Sequence, residues 1–136
     1  MTYAVFLSHG GEDTFLVEDY ILPKLMLSGA DVFLDKGEIL FGDDFRAILI
    51  DALRSADELV VLLTVTSIER PWVFAEIGAA VVAKKRIVPI RYGPQEEQLQ
   101  SLGILSLLGN VGLLEFRDLD TYVIELAQRV EERNNV

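Results

Sequence analysis

The run Leu59-Val60-Val61-Leu62-Leu63 constrains the fold more than any other part of the sequence. Five aliphatic residues without alternation describe a strand buried on both faces. Sheets covered on both faces are built from parallel strands joined by helical crossovers, so this run belongs at the centre of such a sheet. Apolar runs and amphipathic runs alternate along the rest of the chain, which is the pattern of a parallel sheet wrapped by helices, and five βα units can be counted.

Tyr3 to Leu7 is the first strand, ended by the turn-forming Ser8-His9-Gly10-Gly11-Glu12-Asp13. A helix over about 14–27 follows, with Phe15, Leu16, Tyr20, Leu22, Leu25 and Met26 at helical spacing and a stop at Ser28-Gly29. Pro23 within it predicts a kink or a break. Asp31 to Asp35 is the second strand, followed by the loop Lys36 to Asp44 and a helix from about Phe45 to Ser55. The third strand covers Glu58 to Thr64, and the helix carrying Trp72 and Glu76 comes next. Arg86 to Arg91 is the fourth strand; Pro89 cannot donate to a ladder, which predicts a strand end or a bulge there. One short helix is expected within Glu96 to Leu108, and a fifth strand, Gly112 to Phe116, on the sheet edge. Asp118 is placed to cap a last helix whose core stripe is Tyr122, Val123, Leu126, Ala127 and Val130.

A chain of 136 residues suits one domain, 1–136, with a sizeable core. No apolar run approaches the roughly 20 residues of a membrane span and no signal-like segment opens the chain, so a cytoplasmic protein is expected. The absence of cysteine removes thiol chemistry and zinc-thiolate sites, and a single histidine argues against His-based metal sites. Catalysis must then rest on carboxylates, hydroxyls or backbone groups. A net charge of −10 opposes binding to a phosphate backbone, and Lys84-Lys85-Arg86 is the only basic cluster.

Within Arg70 to Ala80, Pro71 fits the first position of a helix, and Glu76 follows the sole tryptophan, Trp72, by four residues, so the two share a helical face. Exposed glutamate is the default, and an ordinary helix-surface role for Glu76 is the plainer reading. In open parallel sheets, however, ligands bind beyond the carboxyl ends of the strands. That rule selects Ser8 and His9, Asp35, Thr64, and the Trp72–Glu76 helix start. Dinucleotide and P-loop fingerprints are missing there, as is a strand-end aspartate on the third strand. A carboxylate beside an indole, without metal ligands, suits cleavage of an N-glycosidic bond: fixed negative charge stabilises an oxocarbenium-like transition state while aromatic surface holds the leaving base.

Four motifs in order resemble the Toll/interleukin-1 receptor (TIR) domain family: Val5 to Asp13, Val32-Phe33-Leu34-Asp35 with the loop to Gly42-Asp43, Pro71-Trp72 with Glu76, and Arg86 to Ile90. The resemblance runs from about Tyr3 to Arg133. It implies a flavodoxin-like α/β fold, a doubly wound sheet of five parallel strands with helices on both faces. It also implies one of two roles: an adaptor acting through TIR–TIR association, or an enzyme that cleaves NAD to nicotinamide and ADP-ribose or a cyclised product. Glu76 stands where NAD-cleaving members carry their catalytic glutamate, which places the chain with enzymes of the prokaryotic, immune-signalling type. NAD is then substrate, and no cofactor is implied. His9 and Gly10 depart from the aromatic and basic residues that some active members have there.

The reading that follows has Glu76 as the catalytic carboxylate, Trp72 as pocket wall, and Ser8, His9, Asp35 and Gly42 as ligand contacts. Four of these also have a plainer role: turn cap for Ser8, turn residue or satisfied polar group for His9, strand-end cap for Asp35, core packing for Trp72. Leu40 and Phe41, apolar at the tip of an acidic loop, are candidates for self-association. The rivals are a non-catalytic TIR scaffold and a nucleoside deoxyribosyltransferase-like enzyme, whose glutamate segment Glu76 to Ala80 also resembles.

Overall fold

The computed structural model describes residues 2–8, 13–35 and 45–135. Its strands are β1 (Ala4–Ser8), β2 (Asp31–Asp35), β3 (Glu58–Leu63), β4 (Arg86–Arg91) and β5 (Leu114–Glu115). All pair in parallel, in the order β2-β1-β3-β4-β5. The expected doubly wound, flavodoxin-like sheet is the one observed. All six residues of β3 are buried, as its unbroken aliphatic run requires of the central strand.

Alternation along the strands divides the core in two. Phe6, Leu59, Val61 and Leu63 face one side, where they meet α3 (Phe45–Ser55), α4 (Pro71–Val82), α5 (Glu96–Ser101) and α6 (Ile104–Leu108). Val5, Leu7, Val60 and Leu62 face the other, against α1 (Thr14–Leu16), α2 (Leu22–Leu27) and α7 (Leu119–Asn134). On α7 the expected stripe is present: Tyr122, Leu126 and Val130 are buried, together with Leu119. No helix among the described residues is long and apolar enough to cross a membrane.

Three expectations are corrected. The first helix is divided by a π-helical turn, Val17–Ile21, in which the Leu22 N–H reaches back five residues to the Val17 carbonyl. The wide turn lies immediately ahead of Pro23, and the helical path continues through the proline to Leu27. Val17, Ile21 and Leu25 form its buried stripe, while Phe15 (78% exposed), Tyr20 and Met26, among the residues picked out by helical spacing, face outward. Second, Pro89 sits within β4 in register with Val61, neither at a strand end nor in a bulge. The missing donor is tolerated because β5 pairs only with Ile90 and Arg91, leaving the earlier part of β4 without a strand on that side. Third, two short helices, α5 and α6, replace the single one expected; they are separated at Gly103, whose φ of 83° is a left-handed conformation suited to glycine.

At the amino ends of the strands, the fully buried Glu58 joins three parts of the chain. It accepts hydrogen bonds from the Tyr3 hydroxyl (2.5 Å), the Tyr122 hydroxyl, and Arg129 Nε (3.0 Å) and Nη2 (3.3 Å). Burial, then the bond to the Glu58 carboxylate, pushes the Tyr3 hydroxyl up to about 12. Burial and the Glu58 charge push Tyr122 up as well. Next to it, Asp57 accepts from the Ala4 N–H (2.8 Å) and from Arg133 Nη2 (2.8 Å). Partial burial opposes the charged form of Asp57, but Arg133 and the Ala4 N–H outweigh it and hold the carboxyl below its usual range.

Candidate active site

The strand order reverses between β1 and β3, so their carboxyl ends border the crevice in which ligands of open α/β sheets are bound. Ser8 ends β1 there, in register with Asp35 at the end of β2 and Val61 of β3. Being two residues beyond Phe6, Ser8 directs its side chain to the face covered by α4. It is 1% exposed, and its Oγ has no hydrogen-bond partner among the described residues. An unpaired buried hydroxyl costs roughly 1–3 kcal/mol, so it marks a position where a polar partner is called for.

Helix α4 opens at this same rim because it follows the carboxyl end of β3. Pro71 is in its first turn, as its fixed φ and missing donor favour. Val73, Glu76, Ile77 and Ala80 form its buried stripe, at positions that repeat with the helical period. Glu76 thus replaces an apolar residue in a stripe that packs on the sheet, and it is 0% exposed. Its plainer reading as an ordinary surface glutamate does not hold. Trp72, one turn nearer the rim, is half-buried and packs on the core cluster beneath α4. The expected pairing of Trp72 and Glu76 on one side of the helix is therefore present, with the indole shallow and the carboxylate deep.

Between β1 and β3 lies a polar knot that sequence reasoning missed. Thr64 Oγ1 donates to Asp13 Oδ2 (2.7 Å) and lies 3.1 Å from Thr66 Oγ1. The Thr64 N–H donates to Ser67 Oγ (2.8 Å), the Ser67 N–H returns to Thr64 Oγ1 (3.0 Å), and Ser67 Oγ donates to the Leu62 carbonyl (2.7 Å). This reciprocal pairing over three residues has the logic of a capping box, so Thr-x-x-Ser directly after an apolar strand was the available signal. Asp13, at the N-cap position of α1, makes no side-chain cap bond and instead ties the end of the first turn to the exit of β3.

Ser8 and the α4 stripe that holds Glu76 lie on one side of the sheet, with Trp72 in the first turn of that helix, and the end of β2, at Asp35, lies beside Ser8. His9, Gly42, Leu40 and Phe41 lie outside the described residues. Among those described, the clefts of about 630, 480, 350 and 250 Å³ are lined by none of Ser8, Trp72 and Glu76. The segments that continue from Ser8 and Asp35, 9–12 and 36–44, are outside the described residues.

The fold is similar to several solved structures. The TIR domain of the Toll-related receptor TRR-2 from the lower metazoan Hydra magnipapillata superposes with a TM-score of 0.66 at 20% identity, covering 98% of each chain. TIR domains of the activated Roq1 resistosome, described as directly recognising the pathogen effector XopQ, match with a TM-score of 0.64 at 18% identity, over 97% of this chain and 99% of theirs. The Clostridium botulinum CMP N-glycosidase BcmB matches with a TM-score of 0.61 at 22% identity, over 92% of this chain and 98% of its own. At such identities the likeness is one of fold. No curated protein gives a significant match. The sequence model of the TIR domain matches residues 5–131, from β1 into α7. With nearly the whole chain so matched, and with the strand order and rim just described, the protein belongs to the TIR domain family.

Proposed function

We propose that the protein cleaves the bond between nicotinamide and ribose in NAD, releasing nicotinamide and ADP-ribose or its cyclised form, with Glu76 as the catalytic carboxylate. One observation carries the reading: a fully buried carboxylate interrupts the apolar stripe of α4, the helix that follows the carboxyl end of β3. Departure of the base leaves positive charge on the ribose ring. A fixed carboxylate in a site shielded from water stabilises that charge far more than solvent would, or attacks the anomeric carbon directly. Trp72 supplies an apolar wall one turn above, suited to holding the nicotinamide ring. Ser8, with its hydroxyl unpartnered among the described residues, supplies a hydrogen bond to the dinucleotide. His9, Asp35 and Gly42 are the further ligand contacts in this reading. A protein of similar fold is named as a CMP N-glycosidase, which supports N-glycosidic bonds as the class of target.

The same neighbour favours a second reading, hydrolysis of a pyrimidine nucleotide or base exchange of the deoxyribosyltransferase kind. Release of nicotinamide from NAD measured beside release of cytosine from CMP separates the two. A scaffold without chemistry would release neither, even when crowded. In the NAD reading the enzyme works as an assembly, with Leu40 and Phe41 at the contact between copies; one neighbour, the TIR domains of a resistosome, is seen within an assembly.

The deciding experiment is Glu76→Gln. The amide keeps the shape but removes the charge, and loss of a comparable electrostatic group costs about 10²–10³ in rate. The variant is expected to melt close to the parent and to release nicotinamide at least a hundredfold more slowly, by roughly the lower end of that range. Undiminished release would remove Glu76 from the chemistry.

A further inference from the structure

The amino ends of the strands, opposite the Glu76 rim, hold a cleft of about 630 Å³ bounded by the start of β4, the segment 111–114 and α7. It exists because β5 is only two residues long, so no strand among the described residues pairs with 86–89 of β4 on that side. Lys84, Lys85, Arg86 and Arg129 line it, with Glu125 in the same lining and the Glu58 carboxylate bonded to Arg129 behind it. A third of the chain's twelve cations thus converge in one place, on a protein whose net charge is −10. Among the described residues Lys84, Lys85 and Arg86 enter no ion pair. Lys85 Nζ is held on the Arg54 carbonyl (2.9 Å) and Arg129 is neutralised by Glu58, so the cations left to meet a ligand are Lys84 and Arg86. Lys84 has a φ of 56°, at a helix end where glycine is the unstrained choice. The remaining wall is apolar, with Ile87, Leu113 and the ring of Tyr122 among its residues.

We propose that this cleft binds a phosphate-bearing small molecule of nucleotide size, with Lys84 and Arg86 on its phosphates and the apolar wall against its base or sugar. The volume lies within the roughly 300–1,000 Å³ of small-molecule sites, and the mixed lining matches a ligand with a charged and an apolar end. Overall negative charge does not prevent this. The Debye length at physiological salt is about 8 Å, so acids across the molecule are screened at the cleft, while Lys84 and Arg86 at its mouth act on a ligand at short range. The assignment is independent of the role of Glu76.

The test is a calorimetric titration with ADP and with inorganic pyrophosphate. Three proteins are compared: the parent chain, Glu76→Gln, and the double variant Lys84→Gly/Arg86→Gln. The glycine suits the left-handed backbone at 84, so the double variant should melt no earlier than the parent. ADP is expected to bind the parent and Glu76→Gln equally, to bind the double variant about tenfold more weakly, and to weaken with added salt. Pyrophosphate should compete with ADP in the parent. Three results would overturn the proposal. These are no binding of either anion, ADP binding kept by the double variant but lost in Glu76→Gln, and a double variant altered in self-association while its ADP binding is unchanged. The second would put ADP at the opposite rim, and the third would make the cleft a contact between copies.

Discussion

Glu76 and Gly78 lie two residues apart on α4 and differ in what the fold asks of them. Glu76 is a polar group in a core position. Gly78 is a helix-interior glycine for which an added Cβ would meet no atom within 4 Å. Glycine costs a helix interior roughly 0.5–1 kcal/mol relative to alanine. Gly78→Ala is therefore expected to raise stability by about that amount, read as a higher urea midpoint with an unchanged slope. A lower midpoint would mean that the open space at Gly78 is occupied in solution. Neither residue's environment was legible from spacing alone. The four-residue interval placed Trp72 and Glu76 on one side of a helix, but which side faced the sheet depended on Val73, Ile77 and Ala80 together.

Among the elements, the loop from β3 into α4 shows how a short polar pair secures a site. Ser67 is buried, and its hydroxyl both accepts from Thr64 and donates to Leu62. Ser67→Ala strands a buried N–H and leaves the Leu62 carbonyl without this donor, at a cost of about 1–3 kcal/mol. Urea unfolding should show that loss, and nicotinamide release should fall as well, because the loop sets where α4 begins and hence where Trp72 and Glu76 lie. A stability loss with full activity would detach the knot from the site. The π-helical turn at Val17–Ile21 is the element least legible in the sequence. Pro23 announced a disturbance, but the chain had several ways to absorb it, and residue order did not say that the helix would do so with a wide turn.

For the whole molecule, the Glu58 cluster ties the chain's beginning to its last helix, and its chemistry predicts an alkaline limit. Tyr3 and Tyr122 have folded-state values above the ordinary tyrosine value of about 10. The folded state therefore holds protons that the unfolded state releases. The stabilisation is complete below about pH 10 and declines as pH rises from there toward the folded value of about 12 for Tyr3. Melting temperature should fall across that window, with late phenolate absorbance accompanying loss of the fold. A flat stability profile would contradict the cluster. Association is the other whole-molecule property. A net charge of −10 opposes assembly at low salt, so activity per molecule should rise with protein concentration and, at first, with added salt. Replacing Leu40 and Phe41 by serine should lower activity in crowded samples more than it lowers the melting temperature. Equal specific activity across a dilution series would leave the domain working alone.

The unbroken aliphatic run of β3, the apolar–amphipathic alternation and the turn residues between them determined the five parallel strands and the flanking helices, because burial on two faces and helical periodicity are written in local order. The four ordered motifs likewise identified the family. Tertiary structure alone decided that Glu76 faces the sheet, that Ser8 is a buried hydroxyl on the same side, and that Asp13 reaches Thr64 across 51 residues. It alone decided, too, that Lys84, Lys85, Arg86 and Arg129 share a cleft left open by a two-residue strand. Each of these depends on which elements become neighbours. Residue order states that only indirectly, since a helical face has no inside until a sheet is laid against it.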